Sequence, residues 1–265
     1  MEKMKECDVK KKNGAVHAAR DAAGLLRHVR ADPSLRRILR VARSHEGVDP
    51  GHDLAHSLRV ALWTLRLGGA EVDWRDAVAA ALLHDVANLP KDSPRRADAS
   101  VLSARRAAEA LRCAGFEENA VVMICQAIED HSYSRGAAPR TALGRALQDA
   151  DRLEAVGALG VLRTATCGAR LGASYLDLRD PWAARRRPDD GRFTIDHFFV
   201  KLLRLEDTLH TEAGRAEARR RTAFMIDFLG ELSEEIGVPL ARTSLMAGRG
   251  PKRRSSGAGG RRPLK

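Results

Sequence analysis

Ala80-Ala81-Leu82-Leu83-His84-Asp85-Val86 is the stretch from which the rest of this chain is read. It places a His-Asp pair inside an apolar run, and the spacing predicts one helix from Trp74 to Ala87, packed through Ala77, Val78, Ala81 and Leu82. Burying a charge is costly unless it is paired or bound to a metal. The pair therefore marks a site, and the residues that meet it have to come from other segments.

Upstream, His52-Asp53-Leu54-Ala55-His56 opens a second helical pattern. His56, Val60, Trp63 and Leu67 fall at i, i+4, i+7 and i+11, so His56 faces the core, with His52 one turn earlier on the same side. Gly68-Gly69 closes that helix. Downstream, Thr141 to Leu153 reads as a helix in which Leu143 and Leu147 lead by steps of four to Asp151, a carboxylate on an apolar face. Asp149 points elsewhere.

The remaining segments are helical too. Ala15 to Arg30 is followed by Asp32-Pro33, a capping residue and a proline suited to a first turn, and then by the stripe Leu35, Ile38, Leu39, Ala42. Gly47 to Gly51 is a turn, and Asn88 to Pro94 a loop containing Lys91. A helix runs through Ser103, Ala107 and Leu111 to Gly115. The next, Glu117 to Asp130, carries Val121, Ile124, Cys125 and Ile128, and His131 extends the same stripe past its end. Ser132 to Pro139 is a second polar loop. Gly157 to Leu171 is helical, Gly172 to Thr194 irregular, and Ile195 to Leu209 and Arg215 to Ile236 are two last helices. Arg185-Arg186-Arg187 reads as an exposed charge run, and Met123, Cys125 and Cys167 as core residues. No strand alternation and no internal repeat is present. The fold class is all-α.

Composition agrees. The chain has 265 residues, 44% hydrophobic but only 4% aromatic, which suits one core of helices packed through small side chains. The net charge is +11, with Lys10-Lys11-Lys12, Lys252-Arg253-Arg254 and Arg261-Arg262 near the ends. Such tails are read first as solvated and disordered, with nucleic-acid binding as the alternative; no aromatic residue stands among them to stack on bases. Three units follow: a basic lead over 1–13, a domain over 14–240 and a basic tail over 241–265. The four cysteines are scattered, with no CxxC, and no secretory signal is seen; the expected compartment is the reducing cytoplasm. No apolar run reaches the roughly 20 residues of a membrane helix, so no membrane partner is expected.

Two imidazoles and two carboxylates, His56, His84, Asp85 and Asp151, suit a divalent ion such as manganese, iron, cobalt, nickel or zinc. With no cysteine in the set, a structural thiolate zinc site is not expected. An ion holding four protein ligands keeps positions for water and substrate, which is hydrolytic equipment.

His56, then His84-Asp85 within Leu-Leu-His-Asp-Val, then Asp151 within Asp149-Ala150-Asp151-Arg152-Leu153, resembles the H…HD…D signature of the HD-domain metal-dependent phosphohydrolases. The opening His52-Asp53-x-x-His56 and the later Ile195-Asp196-His197-Phe198-Phe199-Val200-Lys201-Leu202-Leu203 are similar to one bacterial branch of them. The resemblance spans roughly residues 35–235 and implies a helical bundle with the metal between helices; one divalent ion is expected, since His131 is the only further histidine between the HD pair and Asp151, with manganese first and magnesium a further choice. It also implies hydrolysis of a phosphoester or phosphoanhydride, with a nucleotide as substrate. Many relatives carry Asp-Ile-Gly after the histidine; Asp85-Val86-Ala87-Asn88 here alters the loop and leaves the ligands intact.

Around the ligands, His52, Lys91 and His131 are candidates for proton delivery or charge stabilisation, and Asp53 for orienting the attacking water or for starting its helix. Arg152, His197 and Lys201 are candidates for contacting phosphate. A homo-oligomer is compatible with the sequence. The rival reading is a metal-containing, non-catalytic nucleotide sensor or scaffold.

Overall fold

The structure is a computed structural model and describes residues 19–45, 51–87, 98–132, 135–241 and 244–245. Lys91, the turn at 47–50 and the basic ends lie outside these residues. Among the described residues the regular structure is helical, with one isolated bridge between Ser174 and Phe193.

Several helices begin where a capping side chain places them. Asp21 accepts from the Gly24 N–H at 2.6 Å and caps α1 (Ala22–Ala31); the predicted start at Ala15 lies outside the described residues. Asp32 accepts from Leu35 N–H at 2.9 Å and Pro33 opens α2 (Pro33–Ser44), as the dipeptide predicts. Then come α3 (Leu54–Gly68), a short 3-10 turn (Gly69–Glu71) and α4 (Trp74–Leu83). α5 (Ala99–Ala114) ends on Gly115 at φ +84, a left-handed position that glycine adopts without steric cost. α6 (Glu118–Asp130), α7 (Ala142–Glu154) and α8 (Gly157–Arg170) follow the predicted spans within a residue or two.

Two expectations are corrected here. α4 stops at Leu83, not Ala87, so His84-Asp85 follows the helix end instead of lying inside it. The cause is local: His84 Nδ1 lies 2.7 Å from the Ala81 carbonyl, occupying an acceptor left orphaned at a helix terminus. The segment predicted as one helix over 195–209 is broken into α9 (Asp196–Val200) and a 3-10 helix (Leu202–Thr208), separated at Lys201. The last helix, α10 (Glu212–Ile236), starts a turn before Arg215, capped by Thr211.

Two apolar clusters fill the molecule. The first gathers Leu25, Val29, Leu35, Ile38, Val60, Leu83, Leu111, Ile124, Ile128 and Leu147 from α1 to α7, all essentially inaccessible. The second joins Leu153 and Val156 to Trp182, Phe198, Phe199, Met225 and Leu229. Each fully buried Leu, Ile or Phe contributes about 1.5–3 kcal/mol through removal from water. Trp63 and Leu67 of α3 pack against both clusters, and α7 runs through them, with Ala150 in the first and Leu153 in the second. Asp151 therefore sits where the clusters meet. α3 packs most extensively on α7, which brings His56 against it.

Two lesser expectations fail. Met123 is 45% exposed and not core. Arg186 is no free surface charge: it makes a two-pronged pair, at 2.5 and 2.8 Å, with fully buried Asp196 and ties the irregular 172–194 segment to α9. At its other flank Thr194 approaches α8 closely at Gly168, where a Cβ would fall 2.1 Å from Thr194 Oγ1.

Candidate metal centre

His56 enters from the first turn of α3. Asp53 caps that helix, its carboxylate accepting from the His56 N–H at 2.7 Å. Of the two roles expected for Asp53, helix initiation is the one its contacts show. It lines a minor hollow beside His52 and Asp85 rather than the main cavity.

His84 and His131 are delivered by the same device. Each follows the last residue of its helix and sets Nδ1 against the carbonyl three residues back, Ala81 at 2.7 Å and Ile128 at 2.6 Å. A carbonyl only accepts, so Nδ1 carries a hydrogen in each ring, and Nε2 is the nitrogen left to bind a cation or to take up a proton. In both rings Nε2 turns inward. A row of imidazoles results, with ring centroids 5.6 Å apart for His52–His56, 5.4 Å for His56–His84 and 5.0 Å for His84–His131.

The carboxylates complete the cluster. His84 Nε2 lies 3.5 Å from Asp85 Oδ2 and 3.9 Å from Asp151 Oδ1, and His56 Nε2 lies 3.6 Å from the same Asp151 oxygen. Donor atoms of His56, His84 and Asp85 all lie within 4.8 Å of one another. Donors bound to one ion at about 2.1 Å, at angles of about 90–110°, stand roughly 3.0–3.4 Å apart, so the spacing is close to that of a coordination shell. Both Nε2 atoms are buried and have no hydrogen-bond partner. Orphaned buried nitrogens carry a desolvation cost that a cation would remove. The donor set fits a borderline divalent ion.

Three residues around this cluster escaped the sequence reading. Glu154, 1% exposed, places Oε2 3.4 Å from His56 Nδ1 and receives Arg59 Nε at 2.8 Å. Arg163 of α8 brings Nη1 to 3.1 Å from His56 Nδ1 and Nη2 to 3.3 Å from His52 Nε2. Helical spacing held a signal for two of them: Arg59 is i+3 from His56 and Glu154 is i+3 from Asp151. Nothing in sequence separates Arg163 from the many surface arginines.

Electrostatics follow from this crowding. Burial is the largest influence on His56 and, with Arg163 and His84, lowers its pKa against the pull of Glu154. Burial pulls His131 the same way, but the neighbouring Asp85 carboxylate outweighs it and the pKa is raised. Burial disfavours charge on Asp85 and Asp151 as well. Nearby His84, with His131 and His52 for Asp85 and with His56 for Asp151, nevertheless holds both carboxyls below their usual range.

The cluster opens into a cavity of about 170 Å³. His52, Asp85, His131, Asp151 and Arg163 line it, as do Arg152, His197 and Lys201. His131 is thereby brought to the site, its Nε2 3.6 Å from Asp85 Oδ1. Arg152 also donates through Nη1 to the Thr208 carbonyl, and His197 Nδ1 lies 2.7 Å from Asp190 Oδ2. Asp149 faces away as expected, accepting from the His210 and Thr211 N–H groups and the Thr211 hydroxyl at 2.7–3.0 Å.

Helices alone around a buried His, His-Asp, Asp cluster define a class. The chain belongs to the HD-domain superfamily: the HD domain matches residues 53–156, from the cap of α3 to just past α7. Bacillus subtilis YpgQ is 32% identical over 200 residues, covering 73% of this chain and 89% of its own. The crystal structure of YpgQ in complex with ADP superimposes with a TM-score of 0.58 at 28% identity, over 77% of this chain and 96% of that one. An HD-superfamily hydrolase from Bacillus thuringiensis gives 0.54 at 25% identity, covering 78% of this chain and all of its own. A predicted HD superfamily hydrolase from an uncultured Thermotogales bacterium gives 0.53 at 28%, over 77% and 93%. Among the described residues, no helix is long and apolar enough to cross a membrane.

Proposed function

We propose that this protein is a metal-dependent phosphohydrolase acting on a phosphoester or phosphoanhydride bond of a nucleotide. One divalent cation, manganese by preference, is held by His56, His84, Asp85 and Asp151. The observation that carries this reading is the pair of buried, unpartnered Nε2 atoms on His56 and His84, turned towards the Asp85 and Asp151 carboxylates at the mouth of a cavity. A bound divalent ion would supply an acidified water as nucleophile and polarise a phosphoryl oxygen.

The chain's own residues do the rest. Glu154 accepts a hydrogen bond from His56 Nδ1–H and so directs its Nε2 inward. His131, its pKa raised beside Asp85, holds a proton on Nε2 at the cavity and delivers it to the leaving oxygen. His52 stands across Asp85, 3.7 Å from Oδ2, as the second such group. Lys201, His197 and Arg152 add positive or donor character along the wall facing a phosphate chain. The ADP complex of YpgQ supports a nucleotide as ligand. Residues 14–240 form the catalytic unit, and the free thiols of Cys113, Cys125 and Cys167 suit a reducing cytoplasm.

Purified protein assayed against a nucleotide panel with manganese, iron, cobalt, nickel, zinc and magnesium tests this directly. Wild type should release phosphate or pyrophosphate, and a His84→Ala/Asp85→Ala variant should not. Equal release by both defeats the proposal. Tight nucleotide binding without turnover in any metal identifies a sensor instead.

A further inference from the structure

Arg163 projects from α8 into the cavity beside the candidate metal centre without a carboxylate to neutralise it. Its two partners are imidazoles, His56 Nδ1 at 3.1 Å and His52 Nε2 at 3.3 Å. By contrast, Arg59 is paired with Glu154 at 2.8 Å, Arg186 with Asp196 and Arg221 with Glu217 at 2.7 Å, while Arg152 and Arg215 donate to backbone carbonyls. A guanidinium is charged at every physiological pH, and holding it in a partly dehydrated cavity without a counter-ion is unfavourable.

Its contact with His56 is also one the site gives up. For Nε2 of His56 to face a cation, Nδ1 must carry the hydrogen, and Glu154 is the acceptor already placed for it. An Nδ1–H cannot accept from Arg163. The guanidinium then loses one of its two partners, in a residue that lines the same cavity as Asp85 and Asp151. The donor fork of a guanidinium matches the oxygens of a phosphate.

On the nucleotide reading given above, we propose that Arg163 is the phosphate-binding arginine of this site, placing its two Nη groups on non-bridging oxygens of the substrate's phosphate. Calorimetry on the full chain saturated with Mn2+ tests this, with ADP and pyrophosphate titrated separately into wild type, Arg163→Ala and Arg163→Lys. Binding of Mn2+ itself to each protein is measured alongside. Mn2+ affinity should persist in both variants. Arg163→Ala should weaken ADP and pyrophosphate alike by about 10- to 100-fold, the worth of a hydrogen bond to a charged group. Arg163→Lys should recover part of the loss, because it keeps the charge but not the fork. Unchanged ADP binding in Arg163→Ala overturns the arginine's role and leaves the nucleotide reading standing. Loss of ADP with pyrophosphate unaffected, or loss of Mn2+ binding in a folded variant, also overturns it. If wild type binds neither ligand, both readings fall together.

Discussion

His56 and His131 share one site but lean towards opposite protonation states. Burial and Arg163 keep His56 below the ordinary histidine value of 6.5, whereas Asp85, against the effect of burial, lifts His131 above it. The signs follow from linkage. His56 takes up its proton more readily when unfolded, so its contribution to stability is present above 6.5 and is lost as pH falls below that value. His131 contributes fully below 6.5 and loses its contribution as pH rises through its raised folded value. Ring-proton NMR of metal-free protein should therefore place the His56 midpoint below 6.5 and the His131 midpoint above it. Added Mn2+ should abolish the His56 titration, because a ligating imidazole stays neutral. The reverse order of midpoints would mean that the Asp85–His131 and Arg163–His56 contacts are not those of the protein in solution.

At the scale of elements, helix ends do the positioning. His84 and His131 each terminate a helix by occupying its last-turn acceptor, and Asp53 begins the helix that carries His56. This separates the two roles expected for Asp53. Asp53→Ala should lose about 1 kcal/mol of stability in denaturant titration, as N-cap removal does, and weaken metal binding by loosening His56. Asp53→Asn, which caps as well as aspartate, should restore both stability and activity. An inactive but fully stable Asp53→Asn would show that the carboxylate's charge takes part in the chemistry. The helix spans themselves were largely legible in sequence, because apolar stripes and capping residues are local signals. The early stop of α4 and the break at Lys201 were not, since each turns on a contact or backbone angle that periodicity does not encode.

Across the whole molecule, the site lies where the two apolar clusters join, so its geometry depends on the second as much as the first. Asp196 anchors that second half: fully buried, it holds Arg186 through two bonds and accepts from the Asp189 N–H at 2.6 Å. Asp196→Ala should destabilise the protein by about 3 kcal/mol, near the low end for breaking a buried pair because Arg186 keeps some access to water. It should also open the 172–194 segment to limited proteolysis. An unchanged denaturation midpoint would show that the excursion is held by its apolar contacts alone.

The amino-acid sequence by itself determined an all-helical chain and named His56, His84, Asp85 and Asp151 as one set, because helical periodicity exposes a polar residue on an apolar face wherever it occurs. Only the tertiary structure decided that Glu154, Arg59 and Arg163 surround that set, and that Arg186 is a buried tie rather than a surface charge. The physical reason is range. Which side chain meets which across separate helices depends on packing angles and on the charges left to be neutralised at the junction, and neither is written in the spacing of residues along one helix.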